Sequence, residues 1–316
     1  MTFTPNNIYN MDCLQGLRLM PSDSIDCCIT SPPYYGLRDY EVDGQIGLER
    51  SPEEYIAKLT DIFREVLRVL KPEGTLWLNM GDSYAGGGKG AAKYPENAKK
   101  WKQGSNKGTV GNRTAYKQET HCKVKDLIGI PWMLAFALRS IGYYLRQDIV
   151  WYKPNAMPES VKDRCTKSHE YIFLLSKSKH YYYDYEAIKQ PARSKVRSKM
   201  VKHRKVDFHV PGNNYKTFQG NNIPTSSLVN KRDVWVQCTK PSGSSQHFAA
   251  YPPALIRDCV LAGCPVGGII LDPFMGTGTT AMVALQYQRQ YIGFELNPDY
   301  IPIIKNKIQV TPNMFV

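Results

Sequence analysis

The sequence predicts an α/β fold in which short buried strands alternate with helices. Three stretches predict it. A strand, a glycine turn, a helix, a second strand and an acidic residue follow one another between Gly267 and Glu295. An apolar run, Ile25-Asp26-Cys27-Cys28-Ile29, stops abruptly at a pair of prolines. Between Ser51 and Leu70, apolar residues recur at helical spacing. Strands interleaved with helical patterns are the mark of α/β architectures.

In chain order, Ile25 to Ile29 is a short strand, and Pro32-Pro33 forbids its continuation as strand or helix. Ser51 caps the next helix, Pro52 takes its first position and Glu54 completes a capping box. Tyr55, Ile56, Leu59, Ile62, Phe63, Val66, Leu67 and Leu70 form its apolar face. Lys71-Pro72-Glu73-Gly74 ends it, and Thr75 to Met80 is a strand. Residues 84–125 are too long for an ordinary connection. Pro131 to Ile141 is helical and stops at Gly142; Tyr144–Trp151 and Glu170–Leu175 are strands. Residues 185–235 are irregular and basic, and Tyr251 to Leu261 is helical. In the last unit, Gly267-Gly268 turns into the strand Ile269-Ile270-Leu271, and Ala281, Val283, Ala284 and Leu285 mark a helix. Tyr291 to Phe294 is the closing strand. No internal repeat is visible.

Two motifs carry chemistry. Thr30-Ser31-Pro32-Pro33-Tyr34 leaves a strand. Such a turn presents a hydroxyl, a carbonyl with no adjacent N–H donor, and an aromatic ring. An exocyclic amino group on a nucleobase suits it, since its hydrogens need acceptors and its ring a stacking face. The plain alternative is that Pro-Pro-Tyr merely ends a strand. The second motif is Asp272-Pro273-Phe274-Met275-Gly276-Thr277-Gly278-Thr279-Thr280, with Glu295 beyond it. Its glycines let the backbone pass close to a ligand. The acid after the second strand can accept both hydroxyls of a ribose, as in dinucleotide sites. The third glycine of the dinucleotide fingerprint is missing, however, and Asp272 would repel a pyrophosphate. A ligand with a ribose and a cationic or amine-bearing end fits better, which argues against a nicotinamide enzyme.

Thr-Ser-Pro-Pro-Tyr resembles the catalytic loop of the amino-methylating DNA methyltransferases. Asp-Pro-Phe-x-Gly-x-Gly-Thr-Thr resembles their motif for S-adenosylmethionine. The catalytic motif precedes the cofactor motif, which is the permuted order of the β group of these enzymes. Asn10-Met11-Asp12-Cys13 resembles their acidic segment near the cofactor adenine. Val150 to Asn155, Met157-Pro158 and His169-Glu170-Tyr171 resemble later catalytic-domain motifs, and Gln246 to Pro252 the segment that touches the methionine end.

The resemblance implies a Rossmann-like methyltransferase sheet with helices on both faces and circularly permuted motif order. It implies Ser31, Pro32, Pro33 and Tyr34 as catalytic residues. The implied cofactor residues are Asp12, Thr30, Phe248, Asp272, Pro273, Phe274, Gly276, Gly278, Thr279 and Glu295. Family members with Ser-Pro-Pro-Tyr mostly methylate the N4 amino group of cytosine; adenine N6 is the alternative. A remoter one is an inactive cofactor-binding DNA-recognition protein, against which the intact Ser31–Tyr34 motif speaks. The reaction implied is base flipping followed by direct methyl transfer, with no covalent enzyme–base adduct.

Charge agrees with a polyanion partner. The net charge is +13. Residues 84–125 hold +8 and residues 189–232 hold +10, leaving −5 on the rest. Two basic segments on an otherwise acidic chain favour a double-stranded DNA groove over ordinary solvated loops. Lys99, Lys100 and Lys102 are expected to clamp phosphates. Arg193, Arg197 and Arg204, with Asn213, Asn214 and Gln219, are expected to read base edges. The expected organisation is a catalytic part at 1–188, a target-recognition region at 189–232 and a cofactor-binding part at 233–316. The eight cysteines include no C-x-x-C pair, so no metal and no dithiol site is expected. No secretory leader and no membrane span is patterned in the chain. The expectation is a cytoplasmic monomer or homodimer, with any restriction endonuclease on a separate chain.

Overall fold

A computed structural model describes residues 3–37, 40, 42–86, 121–192, 228–239 and 251–309. Its elements run β1 (Asn7–Asn10), α1 (Cys13–Leu19), β2 (Ile25–Thr30), α2 (Pro52–Val69) and β3 (Leu70–Met80). Next come α3 (Ile130–Ser140), β4 (Tyr144–Tyr152), β5 (His169–Ser176), β6 (Gln190–Pro191), β7 (Leu228–Val229) and β8 (Val234–Val236). The chain closes with α4 (Pro253–Gly263), β9 (Ile269–Asp272), α5 (Thr279–Gln286), β10 (Gln290–Glu295) and α6 (Tyr300–Gln309). Eight strands form one mixed sheet in the order β1-β10-β9-β2-β3-β5-β4-β8. The first five are mutually parallel, β5 runs antiparallel to β3 and β4, and β8 is parallel to β4.

Helices cover both faces of this sheet. Side chains alternate along each strand, so Cys28, Leu76, Leu78, Phe173, Leu175 and Leu271 pack on one face with Leu17, Tyr55, Leu59, Phe63 and Leu134. Cys27, Ile29, Trp77, Ile172, Leu174 and Ile270 pack on the other with Leu255, Cys259, Val260, Ala281, Ala284 and Ile304. Burial on both faces explains why the central strands are continuous apolar runs. Both Cys27 and Cys28 are fully buried, one on each side, and burial pushes both thiols well above their usual range. They are neutral core residues.

Several sequence expectations shift on contact with the fold. The Ser51 hydroxyl caps α2 by accepting from Glu54 N at 3.1 Å, but Glu54 reaches back to Arg50 N, one residue earlier than a capping box requires. Strand β3 begins at Leu70, not Thr75: Ile25 pairs with Leu70, and Lys71–Gly74 bulge out before Cys27 pairs with Thr75. Strand β8 lies within the stretch read as irregular. Three residues show no periodicity, and Val234–Val236 becomes a strand only by pairing with Val150–Tyr152 and burying Trp235 beside Trp77. Elements β1, α1 and α6 also carried too little pattern to stand out. The two described ends of the basic stretch 84–125 meet: Tyr84 bridges Leu127, and Ala85 exchanges backbone hydrogen bonds with Lys125 and Asp126.

Parallel pairing brings the C-terminal ends of β2, β9, β10 and β1 to one rim. Asn10 pairs with Glu295, and Gly293 with Asp272. In open α/β sheets, ligands bind outside the carboxyl ends of the strands.

Candidate active site

One cavity of about 310 Å³ opens at this rim, and both sequence motifs line it. Its cofactor-motif wall is Asp12, Pro273, Phe274, Gly276, Thr279 and Glu295, with Asn297 and Tyr300 beyond. Its other end is Ser31, Pro32, Pro33 and Tyr34, joined by Asn79, Trp151, Lys153 and Glu170. Residues distant in sequence meet because β2 lies between β9 and β3.

Glu295 ends β10. Its carboxylate accepts Gly276 N at 2.7 Å and Asn297 N at 2.8 Å, one on each oxygen. It is 9% exposed, and burial raises its pKa to about 7 against the pull of those N–H donors. Each oxygen keeps a lone pair, so a ribose diol can add two donors. Asp12 caps α1 through Gln15 N at 2.9 Å. Gly276 (φ +55°) and Gly278 (φ +76°) hold left-handed turns. At Gly278 a Cβ would also meet Ile304 Cγ2 at 2.5 Å, so only glycine fits.

Thr30 and Asp272 sit behind the cavity wall rather than on it. Both are 1% exposed. Asp272 accepts from Thr30 Oγ1 (2.6 Å), Phe274 N (3.0 Å), Tyr251 OH (3.3 Å) and Thr280 Oγ1 (2.5 Å). Its charge is therefore spent inside the protein, tying β2, β9, α5 and the approach to α4 together around the 273–278 turn. The cofactor was expected to meet that charge directly; the structure turns it inward. Tyr251 and Thr280 complete the clamp; both fell within segments already recognised as motifs, but only their convergence on Asp272 gives them this role.

At the opposite end, Tyr34 OH donates to Glu170 Oε2 at 2.8 Å and approaches Asn79 Oδ1 at 3.2 Å. Asn79 Nδ2 donates to Tyr171 O at 3.0 Å. Lys153 and Glu170 form an ion pair, and Lys153 Nζ lies 4.2 Å from the centre of the Trp151 ring. Burial, then the Glu170 charge, pushes the Tyr34 phenol well above its usual range, so it stays a neutral donor. The ring edge rests on Gly81, where a Cβ would come within 2.6 Å. Lys153 and Glu170 fell in segments already recognised as motif-like, but their pairing needs the register that sets Trp151 opposite Glu170. Asn79 had no sequence signal at all.

Phe248, Lys99, Lys100, Lys102, Arg193, Arg197, Arg204, Asn213, Asn214 and Gln219 lie outside the described residues.

The residue set at the first end fits S-adenosylmethionine: a buried diol acceptor, backbone turns that allow close approach, and a second carboxylate nearby. Comparison with known proteins agrees. The family model for DNA methylases matches residues 25–306. The type II methyltransferase M.Cfr9I of Citrobacter freundii is 44% identical over 304 residues, covering 96% of this chain and 87% of that protein. The solved PvuII DNA methyltransferase (cytosine-N4-specific) superposes with a TM-score of 0.65 at 17% identity, covering 100% of this chain and 89% of that one. The TTHA0409 protein of Thermus thermophilus, a DNA modification methylase solved with S-adenosylmethionine, matches with a TM-score of 0.57 at 22% identity over 97% and 95% of the two chains. The sequence motifs, the Rossmann-like sheet and these relatives converge: the chain belongs to the DNA methylase family of N4- and N6-amino methyltransferases, with S-adenosylmethionine as its cofactor and DNA as its substrate.

Proposed function

We propose that the chain methylates the N4 amino group of cytosine at a specific site in duplex DNA. The observation that carries this is a single cavity shared by the Ser31–Tyr34 turn and the Glu295 wall. Ser-Pro-Pro-Tyr, the form of the motif that the resemblance links mostly to cytosine N4, supports cytosine, and the PvuII enzyme of the same fold is named as cytosine-N4-specific.

A base within a duplex hides its amino group, so enzymes of this kind flip the nucleotide out of the stack. The Tyr34 ring stacks on the flipped base. Its hydroxyl is held by Glu170 and Asn79, so the ring plane is fixed before the base arrives. The Ser31 hydroxyl and the Pro32 carbonyl accept the two amino hydrogens and turn the nitrogen lone pair toward the cofactor end. S-adenosylmethionine, when bound, supplies an electrophilic methyl group. Glu295 and Asp12 hold its nucleoside end, while Asp272 positions the 273–278 turn through Phe274 N. Holding two reactants in line supplies much of the rate gain. After transfer the nitrogen carries one proton too many; Ser31 and Pro32 hold that proton until water takes it. The buried, neutral Cys27 and Cys28 have no part in this route.

Residues 84–125, within the catalytic part at 1–188, serve as phosphate clamp, and residues 189–232, between that part and the cofactor part at 233–316, serve as target reader. The described ends of the first segment are braced: Lys125 pairs with Asp163 at 2.7 Å, and Arg164 stacks 4.0 Å from the Tyr84 ring. The proposed setting is the cytoplasm, with the chain as a monomer or homodimer; the type II naming of the relative supports a separate restriction endonuclease beside it. Among the described residues, no helix is long and apolar enough to cross a membrane.

The test is mass spectrometry of nucleosides from DNA of cells expressing the protein, with sequencing to map the site. N4-methylcytosine at one recurring sequence is expected. N6-methyladenine instead would overturn the base assignment while leaving the family intact.

A further inference from the structure

The cofactor wall of the cavity holds a buried hydroxyl whose hydrogen has no protein acceptor. We propose that Lys307, on α6 and outside both motifs, orients the Thr279 hydroxyl to donate to the α-carboxylate of S-adenosylmethionine. Lys307 is thus a positioning residue for the amino-acid end of the cofactor. This rests on the placement of the nucleoside end at Glu295 and is independent of which base is methylated.

Thr279 opens α5 and lines the cavity, yet it is only 4% exposed. Its Oγ1 accepts from Lys307 Nζ at 2.8 Å. With that lone pair taken, the hydroxyl hydrogen turns away from the ammonium. Among the described residues no acceptor bonds it. Thr280, one position on, differs: its hydroxyl donates to Asp272 and is satisfied inside the protein. Buried polar groups are nearly always hydrogen-bonded. An orphan donor on a cavity wall therefore points to an acceptor on the ligand.

The surroundings select an anion. Lys307 is half-buried, and burial draws its pKa down to about 8. Below that pH it is a charge in poorly solvated surroundings, where attraction to an anion exceeds its surface value. Gly278 offers α5 no side-chain cap, so the first-turn N–H groups add positive partial charge at the same place. The anionic group of S-adenosylmethionine is its α-carboxylate; its sulfonium and ammonium groups would be repelled. Position agrees as well. Glu295 accepts Gly276 N at 2.7 Å, and Thr279 is three residues further on, at most about 10 Å of chain. A cofactor whose ribose sits on Glu295 can reach that far. Ile304, fully buried against Gly278 and one helical turn before Lys307, holds α6 in place.

The experiment uses the full-length protein at pH 7 and two probes, S-adenosylhomocysteine and 5′-methylthioadenosine, the second sharing the nucleoside but lacking the amino-acid end. Affinities are read by calorimetry. Thr279→Val is expected to weaken S-adenosylhomocysteine by roughly ten- to a hundredfold, the value of a hydrogen bond to a charged group. Lys307→Met should weaken it by roughly tenfold, and Lys307→Arg, which keeps a charged donor, should recover most of that loss. Binding of 5′-methylthioadenosine should hold in all three, which also shows that they fold. Because Lys307 acts through Thr279, the double variant Thr279→Val/Lys307→Met should lose clearly less than the product of the two single losses. Equal losses for both probes, an unchanged S-adenosylhomocysteine affinity in either single variant, or a double variant that loses the full product would each overturn the inference. Glu295→Gln is run separately: if it weakens neither probe, the nucleoside placement itself has failed, and the inference falls with it.

Discussion

Lowering the pH from 8 to 6 should weaken S-adenosylmethionine binding about tenfold, through Glu295. Burial holds this carboxyl at a pKa of about 7 in the free protein. Its proposed partners, the ribose hydroxyls, donate to the ionised form, so the bound complex has the lower pKa. Affinity gained this way is complete above the free-state pKa and is lost as pH falls through it. With the free group titrating near 7, the ionised fraction drops from about nine-tenths at pH 8 to about one-tenth at pH 6, some 1.4 kcal/mol of binding energy. Isothermal titration calorimetry between these pH values reads the change directly. Repeating it at pH 6 in buffers of different ionisation enthalpy should show nearly one proton released per cofactor bound. Glu295→Gln, which cannot ionise, should bind weakly at pH 8 and lose this pH dependence. An identical slope in wild type and Glu295→Gln would refute the reasoning, because the titrating group would then lie elsewhere.

Other perturbations test the remaining links. Tyr34→Ala should cut methyl transfer heavily with cofactor affinity nearly intact, whereas Tyr34→Phe keeps the ring but leaves Glu170 Oε2 with the longer 3.4 Å contact from Asn79 Nδ2, at about 1–3 kcal/mol of transition-state stabilisation, read from single-turnover rates. Thr30→Val removes a 2.6 Å donor from buried Asp272 and should lower unfolding free energy by roughly 1.5–3 kcal/mol in urea; an unchanged midpoint would show that the clamp does not hold the turn. Gly278→Ala combines left-handed backbone with a 2.5 Å clash against Ile304, while Gly276→Ala meets nothing nearer than 3.9 Å. The second should cost about 1–2 kcal/mol of backbone strain and the first clearly more; equal losses would refute the packing argument. Neutralising Lys99, Lys100 and Lys102 should weaken binding to all duplexes alike and flatten its salt dependence by up to about three counterion units, without changing the methylated sequence.

Much of this protein was legible in its sequence because the decisive signals are local. A run of four buried positions followed by two prolines can only be a strand that stops. Strand, glycine turn, helix, strand and acid within thirty residues specify a nucleoside site, since each member acts on its neighbours through the backbone. Capping by Ser51 and the apolar face of α2 are likewise decided within one helical turn. The tertiary structure decided whatever depends on which strands lie side by side. Strand β8 exists only because β4 offers it an edge and Trp77 a partner for Trp235. The inward role of Asp272 follows from Thr30 lying on the adjacent strand, 242 residues away, and leaves no trace in the motif itself. Most consequential for the base pocket, the alliance of Tyr34, Asn79, Lys153 and Glu170 joins side chains from the β2 exit, β3, the end of β4 and β5. A carboxylate's charge can be read from sequence, but the cation it pairs with is chosen by sheet register.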